Sequence, residues 1–135
     1  VEKVYQFEHP ITGISCKMIL DKELDDLILE VKTCTDASPK GFRNFANRYF
    51  LSVQDSMYMD GIVWAGEARK KAFVFCMVEK TYPYHVEYYT LSASDKNDGR
   101  RIRDESMDGI KKCYETGIWP GYNNNPITEI NLNLW

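Results

Sequence analysis

The chain has 135 residues, of which 44% are hydrophobic and 13% aromatic, and its formal net charge is −3. This length and composition suffice for one domain with its own core, and they exclude an intrinsically disordered chain. The charge does not indicate a protein that is basic over its whole surface, although local basic patches can still bind phosphates. No apolar run approaches the roughly 20 residues that a membrane-spanning helix needs.

Cysteine usage argues against a disulfide framework and against a zinc site. Cys16, Cys34, Cys76 and Cys113 are widely spaced, lie in apolar surroundings and form no Cys-x-x-Cys pair. This pattern is typical of reduced core thiols in a cytosolic protein rather than of a disulfide framework or a zinc site. The sequence shows no signal peptide. Because Val1 is not an initiator methionine and already stands in a strand pattern, we expect a fragment, a processed chain or a truncated one.

Three β-strands are predicted in the first quarter of the chain. Residues 4–7 alternate between apolar and polar side chains, and residues 13–21 and 27–33 form the next two strand patterns. Pro10 marks the first turn, and the polar residues 22–26 return the chain for the third strand. We expect these strands to form an antiparallel meander.

A helix is predicted to follow, with Ser38 as its N-cap and Pro39 in its first turn. Gly61 and Gly66 mark its end. Its apolar residues recur at helical spacing and form a core-facing stripe. The stripe comprises Phe42, Phe45, Ala46, Tyr49, Val53 and Met57.

The second half of the chain predicts further strands and a second long helix. The apolar run 72–79 indicates a central strand, and residues 85–91 form the next strand after a turn at Tyr82-Pro83. Residues 127–134 alternate and predict an edge strand or a segment that docks on a neighbour. The sum is a mixed α/β (α+β) domain, with a central five- or six-stranded sheet flanked by two helices.

The second long helix is predicted to begin near Ser94 and Asp95, which can cap it, and to end at Gly117. Four of its residues are expected to face inward. They are Ile102, Ile110, Cys113 and Tyr114.

Asp21, Glu30 and Lys32 form the most informative group of polar residues. Side chains alternate along a strand, so Glu30 and Lys32 point to one face and Val31 points to the other, toward a core. Asp21 ends the preceding strand and is expected to lie beside Glu30. Two carboxylates and an ammonium at the end of a sheet suit a hard divalent cation and a phosphate.

This group predicts a site for phosphodiester hydrolysis. Asp21, Glu30 and the Val31 carbonyl would supply oxygen ligands to Mg²⁺, with Mn²⁺ as the alternative ion. The ion would activate a water molecule, and Lys32 would place a positive charge next to the developing oxyanion. A Glu-x-Lys triplet occurs by chance roughly once in such a chain, so a solvated strand edge with an ion pair is the alternative.

A β-hairpin with Asp before the turn, Glu-x-Lys after it and then a helix resembles the core of the PD-(D/E)xK nuclease superfamily. The resemblance implies a restriction-endonuclease-like core. A longer string is similar to the exonuclease VIII (RecE) branch, which includes phage-borne recombination exonucleases. The string comprises residues 12–17, Asp21, 29–33, 36–39, Tyr49, 54–61, 73–75, Trp119-Pro120 and the terminal Leu-Asn-Leu-Trp.

The resemblance implies a Mg²⁺-dependent 5′→3′ exonuclease that acts on double-stranded DNA ends in recombination. Such enzymes leave a 3′ single strand for a single-strand annealing protein, and they form homo-oligomeric rings that enclose DNA. The implied location is the cytoplasm of a bacterial or phage-infected cell, with no membrane partner. The family also carries a helical segment before the first strand, with an acidic or histidine residue that completes the site. We therefore expect a single nuclease domain, 1–135, that lacks this segment, with His9 a poor substitute.

The resemblance also assigns roles to individual residues. Asp21 and Glu30 match the metal ligands, Lys32 matches the catalytic lysine, and Gln54 and Tyr58 match the helix motif that flanks the active site. Their i, i+4 spacing places Gln54 and Tyr58 on one helix face. The alternative is that Gln54 binds a local polar group and Tyr58 belongs to the core.

DNA binding is assigned to Lys40, Arg43 and Arg48, which lie on or near the helix after the Glu-x-Lys triplet. Lysine and arginine bind phosphates without reading sequence. Two alternatives to an exonuclease stay open. One is another PD-(D/E)xK enzyme, such as a junction resolvase or a restriction-like endonuclease, and the other is a non-catalytic DNA-binding fragment.

Overall fold

The computed structural model describes residues 2–123 and 125–133. Within these residues the chain forms six strands and three helices. They are β1 (Lys3–Glu8), β2 (Ser15–Leu20), β3 (Lys22–Glu23), β4 (Leu27–Cys34), α1 (Pro39–Arg48), α2 (Leu51–Trp64), β5 (Ala72–Glu79), β6 (Val86–Tyr89) and α3 (Ala93–Thr116).

The strands form two sheets. β1 and β2 pair antiparallel, as predicted, and the second sheet has the order β3-β4-β5-β6. β4 and β5 are parallel because α1 and α2 cross over between them, whereas the other pairs are antiparallel. The prediction of a mixed sheet flanked by helices is confirmed, although among the described residues this sheet has four strands rather than the predicted five or six. The three-stranded meander is wrong, because β3 forms within the predicted turn and pairs with β4 in place of β2.

The inner face of the four-stranded sheet forms the centre of the core. Ile28 of β4 and Phe73, Phe75 and Met77 of β5 are completely buried. The Phe73 and Phe75 rings lie 4.9 Å apart between centroids, and Phe42 of α1 packs 5.9 Å from Phe75. Removal of these large apolar surfaces from water is the main term that stabilises the fold.

Glu30 lies on this buried face, and Val31 does not. Val31 is 45% exposed, and Val86 and Tyr88 on the outer face of β6 are exposed as well. The expectation that Val31 points toward the core is therefore wrong. A short apolar run such as 27–29 does not distinguish the two faces of the strand that continues through Val31 by periodicity.

The predicted single helix is two helices. Ser38 is the N-cap and accepts a hydrogen bond from the Gly41 N–H at 3.1 Å, with Pro39 in the first turn, as predicted. The helix is interrupted after Tyr49 because Phe50 adopts a left-handed conformation with φ of 52°. Apolar spacing continues across the interruption, so the pattern does not indicate it, and Tyr49 of the predicted core-facing stripe is in fact 55% exposed. The change of direction brings the start of α2 toward β4.

The helix α3 begins earlier than predicted. Ser92 is its N-cap, not Ser94, and accepts a hydrogen bond from the Asp95 N–H at 3.1 Å. It ends at Gly117, as predicted, where φ is 70°. A glycine tolerates this left-handed conformation without the steric cost of a side chain.

The buried face of α3 also differs from the prediction. Gly99, Arg103 and Met107 are buried, whereas Ile110 and Tyr114 are exposed and Ile102 and Cys113 are partly exposed. A Cβ atom added to Gly99 would lie 2.1 Å from the Ser52 carbonyl oxygen, so a glycine is required where α2 and α3 cross. Glycine and arginine do not contribute to apolar periodicity, so this pattern does not predict a contact face that is formed by them.

Other predictions concern the ends of elements. The strand predicted for 85–91 is shorter, and the described residues 127–133 of the predicted edge strand are not a strand. Leu134 and Trp135 lie outside the described residues. All four cysteines are free thiols, two of them buried. In the part of the chain that the structure describes, no helix has the length and apolar character that spanning a membrane requires.

Candidate functional site

Glu30 is the centre of the candidate site. Its side chain is buried, and its Oε1 atom accepts hydrogen bonds from Gln54 Nε2 at 2.7 Å and from Lys32 Nζ at 3.0 Å. The other oxygen, Oε2, is buried and has no hydrogen-bond partner among the described residues. A buried carboxylate oxygen without a partner is unfavourable. A cation at Oε2 would remove this cost.

Asp21 lies beside the same end of β4, as the sequence predicts. Lys22 pairs with Leu29 in the antiparallel ladder, and one residue further along this register places Asp21 opposite Glu30. Asp21 Oδ2 accepts a hydrogen bond from the Val31 N–H at 2.9 Å. This bond fixes one carboxylate oxygen of Asp21 and leaves the other available to a ligand.

The donor set suits Mg²⁺. Mg²⁺ is usually bound by one or two carboxylates and completes its shell with water and substrate phosphate oxygens. Asp21 and Glu30 provide two carboxylates, and Glu30 Oε2 is the unpartnered atom. Over residues 2–123 and 125–133, no group of three or more His, Cys, Asp or Glu side chains converges on one point. Two carboxylates suit an ion that keeps water and phosphate ligands.

Of the two helix residues predicted to flank the site, the structure brings Gln54 into contact with it. Gln54 lies in the first turn of α2, where its amide reaches Glu30. Tyr58, one turn later, packs its ring edge-on against Phe73 with centroids 5.9 Å apart. Tyr58 thus occupies the apolar core next to the site.

The three predicted DNA-binding residues lie on α1 and are exposed. Arg48 lines a groove beside the end of β4, whereas Arg43 lines a second groove between α1 and the start of α3. Lys40 stands in the first turn of the helix. Arg43 and Arg48 therefore border different grooves of α1.

A buried polar cluster, which no pattern in the sequence indicates, joins α2 to α3. Asp60 accepts hydrogen bonds from Arg103 at 2.6 Å, from Arg69 at 3.0 Å and from Arg100 at 3.1 Å. Burial alone would raise the pKa of Asp60, but these three arginines outweigh it and hold the pKa below its usual value. Runs of basic residues are typical of a solvated surface, but some of the arginines in these runs are thus partly or fully buried.

His9 is also internal. It lies at the predicted turn, where its N–H donates to the Ile14 carbonyl, but its side chain is almost completely buried. Its Nδ1 lies 2.9 Å from Thr12 Oγ1, and its Nε2 lies 3.3 Å from Asp104 Oδ1. His9 therefore connects the β1–β2 turn to α3.

Asp55 follows Gln54 on α2 and is buried, and its Oδ2 has no hydrogen-bond partner among the described residues. Lys96 Nζ is 3.6 Å from that oxygen. Burial raises the pKa of Asp55 to about 6, against the opposing effects of Lys96 and Arg100 and with a smaller contribution from Asp60. The native state therefore binds this proton more tightly than the unfolded chain, whose aspartates titrate near pH 4. Stability from this group is present at low pH and is lost as pH rises through about 6.

Asp55→Asn is expected to remove this pH dependence. Relative to the unsubstituted chain, the variant should gain about 2 kcal/mol in free energy of unfolding between about pH 4.5 and about pH 7.5. Urea denaturation at the two pH values measures this shift. The exposed Asp108, substituted in the same way, is the control and should show no comparable change. An Asp55→Asn effect of equal size at both pH values would contradict the expectation.

The position of Asp21, Glu30 and Lys32 at the end of neighbouring strands in a mixed sheet agrees with the PD-(D/E)xK pattern of the sequence. The chain belongs to the family described as PDDEXK-like domain of unknown function (DUF3799), whose sequence profile matches residues 1–127. No curated protein matches the sequence.

The fold is similar to the crystal structure of a candidate exonuclease from Eubacterium rectale, with a TM-score of 0.74 and 11% sequence identity. The similarity covers 96% of this chain and 53% of that chain, so the present chain spans about half the length of its structural neighbour. At this identity the comparison shows the fold alone. Together with the family membership, it supports a nuclease.

Proposed function

We propose that this protein is a Mg²⁺-dependent exonuclease that hydrolyses phosphodiester bonds from 5′ to 3′ at double-stranded DNA ends in recombination. The observation that supports this best is the buried Glu30 carboxylate, with one oxygen held by Gln54 and Lys32 and the other unpartnered beside Asp21. The RecE-like string in the sequence supports the finer assignment of end-directed polarity and recombination. It also supports a homo-oligomeric ring around DNA and a single-strand annealing protein as partner.

The roles of the residues follow from their contacts. Asp21, Glu30 and the Val31 carbonyl would hold Mg²⁺, which supplies an activated water and neutralises charge on the phosphate. Gln54 fixes the rotamer of Glu30 by its 2.7 Å hydrogen bond and so directs Oε2 to the ligand. The Val31 N–H fixes Asp21 in the same way.

Lys32 has a different role from the ligands. Its ammonium group is only partly exposed and lies 3.0 Å from Glu30 Oε1, so it stands next to the position of a bound phosphate. There it stabilises the negative charge that develops as water attacks phosphorus.

Linear and covalently closed DNA distinguish the proposal from its alternatives. We expect Mg²⁺-dependent degradation of linear duplex DNA and none of closed circles, with EDTA abolishing activity. Phosphorothioate linkages at the 5′ ends should block degradation, whereas the same linkages at the 3′ ends should not. Cleavage of closed circles would indicate an endonuclease or resolvase, and DNA binding without any hydrolysis would indicate a non-catalytic fragment.

A further inference from the structure

A groove of about 480 Å³ lies between α1 and the carboxyl end of β4. We name it the α1–β4 groove. Thr33 and Cys34 line one side, Asn44 and Arg48 of α1 line the other, and Lys80 closes the end after β5. Tyr49 stands at its rim, where α1 ends.

The groove begins directly beside the candidate site. Cys34 projects from the same face of β4 as Lys32, two residues further along, which corresponds to about 7 Å. Along one strand of duplex DNA, phosphates follow each other at about 3.4 Å of helix axis. At this spacing about 7 Å corresponds to two nucleotides, so a strand whose scissile phosphate lies at Lys32 would place a nucleotide within two positions of it at the groove.

Tyr49 provides a flat surface there. Its ring is 55% exposed, yet it is held by Phe45, whose ring centroid is 4.5 Å away, and by Arg48, whose Cζ lies 5.6 Å from the ring centroid. The Tyr49 N–H donates to the Phe45 carbonyl at 3.0 Å, which fixes the backbone. An aromatic ring that is supported by its neighbours and open to solvent is a stacking platform for an unpaired base.

The charges of the groove suit a phosphate. Arg48 and Lys80 are exposed, and neither side chain forms an ion pair within the described part of the chain. Asp36 is the acidic residue of the groove, and its Oδ1 accepts a hydrogen bond from the Ser38 N–H at 2.9 Å, within the turn that precedes α1. A Cβ atom added to Gly41 would lie 2.2 Å from the Asp36 carbonyl oxygen, so this wall is packed closely onto α1.

We propose that the α1–β4 groove binds an unpaired nucleotide of the DNA strand that is being hydrolysed, an inference that rests on the proposed nuclease function. The base stacks on Tyr49, and its phosphate lies between Arg48 and Lys80. Because stacking and ionic contacts do not read base edges, the subsite accepts any sequence. It separates the end of the hydrolysed strand from its complement.

Binding of a fluorescein-labelled oligothymidylate in EDTA tests the subsite without hydrolysis. Tyr49→Ala should raise the Kd measured by fluorescence anisotropy at least about fivefold, whereas Tyr49→Phe should leave it unchanged. Tyr88→Ala is the matched control, since Tyr88 is similarly exposed but lies on the outer face of β6. Circular dichroism checks that each variant is folded.

Arg48 and Lys80 are tested by a separate measurement, the salt dependence of oligonucleotide binding. Arg48→Ala and Lys80→Ala should each lower the slope of log Kd against log salt concentration by about 0.7, the value for one phosphate contact on a single strand. Lys112→Ala, on the exposed face of α3, should not change the slope.

Several outcomes would overturn the inference. They are undetectable binding by the unsubstituted chain, equal Kd values for Tyr49→Ala and the unsubstituted chain, and an equal loss in Tyr88→Ala. Hydrolysis that depends on Lys32 and persists unchanged in Tyr49→Ala would remove the subsite and leave the nuclease function intact. Oligonucleotide binding that depends on Tyr49, in a chain that hydrolyses no DNA, would support the groove and contradict the nuclease.

Discussion

Lys32→Ala is expected to reduce Mg²⁺-dependent hydrolysis of linear duplex DNA by a factor of about 10² to 10³. The substitution removes the ammonium group that stands 3.0 Å from Glu30 Oε1, at the position of the developing negative charge. It leaves Asp21, Glu30 and the hydrogen bond from Gln54 in place. Initial rates with end-labelled duplex DNA measure the effect, and circular dichroism shows whether the fold is retained.

A second substitution, at Glu30, distinguishes the role of Lys32 from that of the proposed metal ligands. Glu30→Gln keeps the shape of the side chain but removes the charge of the buried carboxylate, so both hydrolysis and cation affinity should fall. Lys32→Ala keeps both carboxylates and should retain Mn²⁺ binding in calorimetry while it loses activity. Lys71→Ala is the control, since Lys71 is highly exposed and pairs with Asp26 on the surface. Full activity in both site variants would show that the site is assigned to the wrong residues.

The sequence predicts those contacts of the site that depend only on the local register of neighbouring strands. A short hairpin places the residue before its turn opposite a fixed residue after it, so Asp21 beside Glu30 follows from strand pattern and turn length. Gln54 lies 24 positions after Glu30, and its contact depends on the angle between α1 and α2. That angle is set by the left-handed Phe50, which apolar periodicity does not reveal. Only the family resemblance indicated Gln54.

The predictions that failed concern residues whose burial depends on tertiary contacts. Arg103 is polar and so predicts a solvated helix face, yet it is buried because Asp60 of another helix neutralises it. Gly99 carries no apolar signal, yet it lies where the two helices approach most closely. Val31 is apolar and is exposed, because Glu30, its neighbour along β4, occupies the inner face. Periodicity reports only whether a residue is apolar. At each of these positions, burial and apolar character do not coincide, so periodicity predicts the wrong face.

Asp60→Ala is expected to lower the free energy of unfolding by about 3–5 kcal/mol, the usual effect of removing one partner of a buried ion pair. The side chains of Asp60 and Arg103 are 8% and 6% exposed, so the arginine would stay buried without its main counter-charge. The Ser56 carbonyl, 3.0 Å from Arg103 Nη1, and Asp104 would remain as partners of Arg103, but Arg103, Arg69 and Arg100 would each lose a charge-assisted bond to Asp60. Urea denaturation followed by circular dichroism measures the change.

Asp108→Ala gives the matched control on α3, where the aspartate is exposed and the expected change is within about 0.5 kcal/mol. A loss below about 1 kcal/mol in Asp60→Ala would show that the arginines find water or other acceptors, and that the cluster does not hold the helices together. If the loss is as large as expected, the hydrolysis rate of the folded variant becomes informative. Asp60 and Gln54 lie on the same helix, so loosening α2 against α3 should also weaken the hold of Gln54 on Glu30.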